Sequence, residues 1–147
     1  MILIMVLLAK DIVKKDFLSL SKQANALDAS KQMKSGQYGF IIIADKDGRP
    51  EGIVTEWDYL SKLVAEGKDP SKTQLGEIMT TGLVTVKAED GIDSVAQLMS
   101  ERGIRRVLVV HGGKVLGVIT AQIVVSRLKE YVDRVSSQIA RLQTPGY

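Results

Sequence analysis

The chain has 147 residues, of which 45% are hydrophobic and 25% charged, with a formal net charge of +3. That length suits one compact domain or two very small ones that share a core, and the apolar fraction excludes intrinsic disorder. The sequence contains no cysteine and one histidine, His111. Disulfides, thiolate nucleophiles, cysteine metal sites and sites that need two imidazoles are therefore excluded.

The chain opens on an apolar run, residues 1–8, which is followed by Ala9, Lys10 and Asp11. A membrane-spanning helix needs about 20 apolar residues, and a secretory signal needs a basic start and a small-residue cleavage site. We therefore expect a segment or strand buried on the body of the protein or on a partner chain. With no other candidate for targeting, we expect a cytoplasmic protein that does not use a membrane.

Hydrophobic periodicity predicts the order β-α-β-β-α over the first half of the chain. The predicted elements are a strand at 17–20, a helix at 24–35 that ends at Gly36, a strand at 40–44, a turn at 45–48, a strand at 51–55 and a helix at 56–65. A polar stretch with glycine and proline follows at 66–72, which is typical of a connection between units. We therefore divide the chain into 1–70 and 71–147.

The second half has the same predicted order. Its elements are a strand at 83–86, a helix capped by Asp90 and ended by Gly103, a strand at 107–110, a hairpin turn at Gly112-Gly113, a strand at 115–120 and a helix from Ala121 to about Gln143. That last helix is longer than one unit needs. It carries an apolar stripe at Val124, Leu128, Tyr131, Val135, Ile139 and Leu142. The stripe either packs back on its own chain or, as we expect, forms a surface for a dimer or a partner helix.

The two halves also match residue by residue. Residues 21–45 align with residues 87–111, so that Met33 falls on Met99. After one deleted residue, the matched pairs are Gly48 and Gly113, Gly52 and Gly117, Thr55 and Thr120, Ser61 and Ser126, and Leu63 and Leu128. A repeat of about 65 residues suits a tandem pair of small domains. Because neither half buries a large core alone, we expect the halves to pack together in an α+β fold with helices on one face of each small sheet.

The end of the third predicted strand carries the first candidate site, at Gly52, Thr55 and Asp58. Thr55 lies at a helix entrance, where free N–H groups and the helix dipole favour an anion such as phosphate. The Asp58 carboxylate, one turn later, can accept hydrogen bonds from paired hydroxyls such as those of a ribose, and Gly52 lets another group approach the backbone. The same spacing is also a capping box, which satisfies the N–H groups of the helix itself. Both interpretations stay open, and Ile123 replaces the aspartate in the second half.

Arg105 and Arg106 form the second candidate, at the entrance to the buried strand of the second half. Two guanidinium groups at a strand end form a natural phosphate clamp, although neighbouring strand residues point to opposite faces. The alternative is ordinary exposed charge beside a hydrophobic strand. The matching residues of the first half, Gly39 and Phe40, carry no charge.

Order, spacing and repetition together resemble a tandem pair of cystathionine-β-synthase (CBS) domains, over about residues 9–65 and 75–130. Residues 52–60, GIVTEWDYL, are similar to the strand-to-helix motif of that family. Residues 117–120, GVIT, match the first half of the motif, and residues 104–110, IRRVLVV, resemble the second diagnostic stretch. The resemblance implies two repeats packed as a pseudo-twofold module, with clefts that bind adenosine-containing ligands.

The resemblance also implies where a nucleotide would bind. In the family, the threonine and aspartate of the motif contact phosphate and ribose, and basic residues from the other half join them. The implied site comprises Ile53, Thr55, Asp58, Leu83, Val84, Thr85, Arg105 and Arg106. The pseudo-equivalent cleft, around Leu18, Ser19, Gly39, Phe40 and Thr120, lacks the carboxylate and the basic pair. We therefore expect weak or no binding in that second cleft.

On this basis we predict a regulatory module that senses AMP, ADP or ATP, with S-adenosylmethionine or NAD as alternative ligands. It would signal to a partner protein through ligand-dependent rearrangement of the pair, and the resemblance implies a homodimer. No base, nucleophile and metal set converges, so we expect no enzyme, no cofactor and no metal site. The alternatives are a ligand-free dimeric scaffold and, less supported because the charges are scattered and aromatics few, a nucleic-acid-binding accessory protein.

Overall fold

Two three-stranded sheets carry the fold, which a computed structural model describes over residues 7–143. In the first sheet, β1 (Leu18–Leu20) runs parallel to β2 (Phe40–Ala44), and β2 pairs antiparallel with β3 (Pro50–Thr55). The central strand β2 contains three consecutive isoleucines, all completely buried. The strands predicted in the first half are thus confirmed to within a residue at each end.

The second sheet repeats this arrangement. β4 (Thr85–Lys87) runs parallel to β5 (Arg106–His111), and β5 pairs antiparallel with β6 (Lys114–Thr120). The hairpin turn at Gly112-Gly113 has φ angles of 59° and 78°, which glycine adopts without strain. The first strand of this half begins at Thr85, two residues later than predicted.

The helices that follow the first strand of each half are α2 (Ala26–Gly36) and α4 (Ile92–Arg102). Two of their ends differ from the prediction. Gly36 is still helical, and the left-handed residue that ends α2 is Gln37, with φ of 56°. Gly36 is small for a different reason, because a Cβ there would meet the ring of Tyr38.

The start of α4 is the second difference. Its N-cap is Gly91, whereas the carboxylate of Asp90 accepts a hydrogen bond from the backbone N–H of Lys87 at 2.8 Å. The carbonyl of Asp90 accepts a further bond from the N–H of Ala9 at 2.7 Å. Because the amino-terminal segment holds this loop, Asp90 caps the turn before the helix and not the helix itself.

The last helices of the two halves differ in shape. α3 (Glu56–Asp58) is a single turn that continues as a π-helix at Tyr59–Val64. Its counterpart α5 (Ala121–Ala140) is a regular α-helix of 20 residues, followed by a 3₁₀ turn at Arg141–Gln143. The prediction of an extended carboxy-terminal helix is confirmed. Of its predicted apolar stripe, Val124 turns into the core.

The core of the second half includes the segment that leads into β1, and the core of the first half includes the segment that leads into β4. α1 (Ala9–Ile12) packs in the second core, and both of its end residues are buried there. Conversely, the 3₁₀ turn at Leu75–Glu77 belongs to the first core, where Leu75 and Ile78 are completely buried. Each half is therefore completed by the leading segment of the other, and the boundary between residues 70 and 71 stays a prediction.

A third apolar cluster lies between the two sheets and is centred on Ile42, Leu108 and Val118. Because side chains alternate along a strand, each sheet directs one face to its helices and the other to the opposite sheet. Two isolated bridges flank this cluster in equivalent places, from Lys14 to Val118 and from Thr80 to Ile53. The fold therefore has the predicted pseudo-twofold arrangement of two α+β repeats.

The apolar opening of the chain is described from Leu7 onward. The carbonyl of Leu7 accepts a hydrogen bond from the N–H of Ile92 at 2.9 Å, and Leu8 pairs with Gly91. These two leucines thus lie against the start of α4, while the expectation for residues 1–6 falls outside the described residues. Within residues 7–143, no helix is long and apolar enough to cross a membrane.

Candidate functional site

The predicted capping box at the end of β3 is formed. The backbone N–H of Thr55 donates to Oδ2 of Asp58 at 2.8 Å, and the N–H of Asp58 donates back to Oγ1 of Thr55 at 3.3 Å. The hydroxyl of Thr55 is also within 3.2 Å of Oδ2. The capping interpretation of this motif is therefore confirmed, and its nucleotide interpretation stays a prediction.

The other oxygen of Asp58 is occupied by two groups that the sequence reasoning did not single out. Lys62 places Nζ 2.9 Å from Oδ1, and the hydroxyl of Thr80 donates to the same oxygen at 3.1 Å. Lys62 also donates to the carbonyl of Ile78 at 3.0 Å. With 4% of its surface exposed, Asp58 is a buried carboxylate whose acceptor sites are all engaged.

Only one of these two residues left a signal in the sequence. Lys62 lies four residues after Asp58 on a predicted helix, which is the spacing of a helical ion pair. Thr80 is 22 residues away in the chain and comes to Asp58 through the pairing of Thr80 with Ile53. That contact depends on the tertiary fold and has no local pattern.

Gly52 allows another group to approach its backbone closely, as expected from the sequence, but the approaching group belongs to the chain itself. A Cβ at Gly52 would lie 2.7 Å from Sδ of Met79 and 3.0 Å from the carbonyl oxygen of Thr80. Gly117 has the same role in the second half, where a Cβ would meet the backbone of Lys14. Both glycines therefore admit the segment that crosses from the other half.

The two arginines of the candidate site have different surroundings. Arg106 is the first residue of β5, and its guanidinium carbon lies 5.2 Å from the centre of the Phe40 ring, a cation–π contact between the halves. Arg105 is exposed, and its carbonyl accepts a hydrogen bond from the N–H of Ala121 at 2.9 Å. Because Phe40 pairs with Thr55 across the sheet, Arg106 is the arginine that reaches toward the first half. The ring it contacts there belongs to the residues predicted for the second cleft.

The apolar residues predicted for the site do not form one group. Ile53 and Leu83 both pack on the cluster between the sheets. Val84 packs instead on the second core, and its carbonyl accepts from the N–H of Leu108 at 3.1 Å. Thr85 is exposed at the start of β4. The structure thus brings Ile53 and Leu83 to the face that Arg106 shares, and directs Val84 elsewhere.

The pseudo-equivalent cleft differs from the first in chemistry. Oγ1 of Thr120 accepts from the N–H of Ile123 at 3.1 Å, so the helix is capped without a carboxylate. Arg127 takes the place of Lys62 and donates to the carbonyl of Asp11 at 3.0 Å. Gly39 has no side chain that could bring a charge to this cleft, and its carbonyl accepts a hydrogen bond from the N–H of Glu56 at 3.2 Å. Leu18 and Ser19 lie in β1, half-buried and exposed respectively.

Nothing in the described part of the chain groups three histidine or carboxylate side chains closely enough to hold a metal ion. The charged groups of the candidate site are of two kinds. Asp58 with Lys62 forms a buried ion pair, whereas Arg105 and Arg106 keep exposed guanidinium groups. Guanidinium groups in this state suit a phosphate or another anion.

Comparison with known proteins finds the CBS domain family over residues 9–65 and 75–130. The mitochondrial CBS domain-containing protein CBSX3 of Arabidopsis thaliana is 31% identical over 121 residues, which cover 76% of this chain and 58% of that protein. A hexameric CBS-CP12 protein from bloom-forming cyanobacteria is 34% identical, with a TM-score of 0.73 and coverage of 82% of this chain and 67% of that one. A CBS domain pair solved with 5′-methylthioadenosine and S-adenosyl-L-methionine is 30% identical, with a TM-score of 0.72 and coverage of 85% and 97%.

Proposed function

The chain belongs to the CBS domain family, and from that premise we propose that it is a regulatory module that binds one adenosine nucleotide between its halves. The ligands seen in a related CBS pair share an adenosine group, which supports this class of ligand. AMP, ADP and ATP are the preferred candidates because two arginines are available for phosphate. The observation that carries the proposal is the asymmetry of the halves, since the first supplies Asp58 and the second supplies Arg105 and Arg106.

The contacts of Asp58 suggest how occupancy is transmitted. A ribose that binds Asp58 has to compete with Lys62 and with Thr80 for the same oxygen. Thr80 belongs to the segment that pairs with β3 and leads into the second half. Ligand binding therefore exchanges a contact within the protein for a contact with the ligand, which is the differential interaction that a switch needs.

Signalling then requires a receiver. We propose that this receiver is a partner protein, that the module acts in the cytoplasm without catalysis of its own, and that it associates with a second copy. The pseudo-equivalent cleft at Phe40 and Thr120 binds the same ligands weakly or not at all, because Ile123 replaces the aspartate.

The experiment is a thermal-shift panel with AMP, ADP, ATP, S-adenosylmethionine and NAD. A ligand at one hundred times its Kd stabilises the native state by about 2.7 kcal/mol, which for a chain of this size raises Tm by about 5–10 °C. We expect that rise for at least one ligand of the panel. No shift with any of them would contradict the proposal.

Variants locate the site. Arg106→Ala should abolish the shift, because its exposed side chain contributes charge to the site and little to the core. Arg102→Ala is the matched control, since it removes an exposed guanidinium from the end of α4 and should leave the shift intact. Asp58→Ala should also abolish the shift, and Ile123→Ala should not. A shift that survives Arg106→Ala would place the ligand elsewhere.

A second candidate function rests on the same aspartate. Because the acceptor sites of Asp58 are engaged by Thr55, Thr80 and Lys62, the structure is also consistent with a scaffold whose clefts stay empty. That protein would show no shift in the panel and would still associate. Salt-dependent binding of an oligonucleotide would instead favour the nucleic-acid accessory.

A further inference from the structure

The distal part of α5 is an apolar surface without a cover in the described residues. The first turns of the helix are anchored, since Val124 is buried in the second core and Arg127 donates to the carbonyl of Asp11. Beyond Val124, no residue up to 143 belongs to any of the apolar clusters of the fold. About four turns of helix therefore carry apolar side chains that belong to none of these clusters.

The apolar residues of these turns and of the 3₁₀ turn that follows them recur in a heptad pattern, with alternating steps of three and four. We call these six residues the seam: Val125, Leu128, Val132, Val135, Ile139 and Leu142. Five of them are 44–65% exposed, and Val135 is half-buried. Four seam residues belong to the stripe expected from the sequence, and two differ: Val125 and Val132 take the places of Val124, which is buried in the second core, and Tyr131.

From this pattern we infer that the seam pairs with the seam of a second copy of the chain, as a parallel two-stranded coiled coil. In heptad notation, Val125, Val132 and Ile139 occupy position a, and all three are β-branched. Leucines occupy two of the three d positions, at Leu128 and Leu142. β-branched residues at a with leucine at d favour parallel dimers over larger bundles.

Charge supports a second copy over a different partner. The positions that flank a coiled-coil seam, e and g, are where charges select a heterologous partner. Here they hold one charge, Lys129, beside the uncharged Gln122, Val124, Tyr131, Ser136 and Gln138. The remaining charges of the helix, Arg127, Glu130, Asp133 and Arg134, lie at outer positions, and Arg127 pairs with Glu130 within the helix. Nothing in this pattern opposes a symmetric pair.

Residues 1–6 are the alternative occupant, because they are apolar and lie outside the described residues. They join the structure at Leu7, which is bonded to the start of α4. A seam covered by the same chain is therefore an outcome that the test has to separate from pairing with a second copy, which would match the seam along its full length.

Oligomeric state tests the pairing directly. We expect the full chain to have the mass of a dimer or a multiple of it in light scattering after gel filtration, and the double variant Val132→Asp, Ile139→Asp to have half that mass. The matched control Ser137→Asp, Ala140→Asp adds the same charges to the same helix away from the seam, and its mass should not change. Helicity of each variant by circular dichroism separates lost pairing from an unfolded helix.

Orientation is tested with single cysteines, for which the chain is suited because it contains none. In a parallel, in-register pair, Leu142→Cys places two thiols at the same d layer, so mild oxidation should give a covalent dimer. Ser137→Cys lies on the outer face and should give little. In an antiparallel pair, position 142 lies far from its own copy and does not cross-link.

Two results would overturn the inference. The first is a monomeric wild-type chain at micromolar concentration; if its Tm then falls in the Val132→Asp, Ile139→Asp variant, the seam is covered within its own chain. The second is a dimer that persists in that variant, which would put the interface elsewhere. Neither result depends on nucleotide binding.

Discussion

Gly52 links sequence to fold through the side chain that it lacks. Its position admits the backbone of Thr80, whose carbonyl oxygen would lie only 3.0 Å from a Cβ at this residue. The hydrogen bonds from Ile53 to Thr80 and back, 3.0 and 2.8 Å long, depend on that approach. Thr80 also donates a hydrogen bond to Asp58. Gly52 therefore positions both the crossing segment and one of the hydrogen-bond donors to the buried carboxylate.

Gly52→Ala should therefore destabilise the protein by about 1–3 kcal/mol, the usual cost of overpacking. Gly39→Ala is the matched control, because its Cβ would lie 3.5 Å from Oε1 of Glu56, an ordinary contact. That variant should be neutral or slightly more stable, since alanine restricts the unfolded chain. Urea denaturation measures both, and equal effects would contradict the packing argument.

Tyr59 supplies a pH-dependent contribution to stability. Its hydroxyl donates to the carbonyl of Ala26 at 2.7 Å, and burial raises its pKa from 10.0 to about 12. Below pH 10 the phenol is protonated in both states, so its contribution is complete. Between pH 10 and 12 the unfolded chain ionises first, and the contribution is lost as pH rises.

Tyr59→Phe should consequently lose less stability than the wild type over that pH range. The variant also loses the hydrogen bond, at a cost of about 0.5–1.5 kcal/mol at neutral pH. Tyr131→Phe, at an exposed position of α5, controls for general effects of alkaline pH. Parallel stability curves for wild type and Tyr59→Phe from pH 9 to 12 would rule this role out.

At the scale of elements, the two short segments that complete the opposite cores are the feature with most consequence. α1 packs in the same core as α4 and α5, and the turn at Leu75–Glu77 packs in the same core as α2. Neither half can unfold without uncovering apolar side chains of the other. We therefore expect the chain to unfold in one cooperative step.

Leu75→Ala tests this coupling. Leu75 lies in the chain after the connection between the halves at 66–72, yet it is completely buried in the core of the first half. The substitution should cost about 2–5 kcal/mol. Leu60→Ala, the same change at a 51% exposed position, should cost far less. Hydrogen exchange of the β2 amides across a urea series reports the first half, and exchange of the β5 amides reports the second. The two transitions should coincide in wild type and in Leu75→Ala, and two separated steps would contradict the coupling.

Local patterns predicted the elements that depend on local physics. The run of isoleucines in β2, the glycine pair of the hairpin and the periodicity of α5 each determine their own structure. The π-helix at Tyr59–Val64 escaped prediction because its sequence is that of an ordinary helix. The role of Gln37, which ends α2, was not predicted, because Gly36 beside it is the residue type that more often ends a helix.

The same division holds at the candidate site. The Thr55 and Asp58 capping box is a local motif and was predictable from spacing alone. The contact of Thr80 with Asp58 was not, because it joins residues 22 apart through a bridge between segments. Nor was the packing of Val84 on the second core, since alternation in so short a strand does not reveal which face is buried.

At the scale of the molecule, a symmetric fold carries an asymmetric set of side chains. Lys14 and Thr80 occupy equivalent bridges. Among the described residues, only the one at Thr80 adjoins a buried carboxylate, because the Thr80 hydroxyl donates to Asp58. We propose that this asymmetry gives each chain a single ligand site.

Isothermal titration calorimetry tests that claim most directly, with the ligand of the panel that gives the largest thermal shift. We predict one molecule bound per chain for the wild type and for Arg102→Ala, and no measurable binding for Arg106→Ala at the same concentrations. Two molecules per chain, or binding that Arg106→Ala leaves unchanged, would contradict the account.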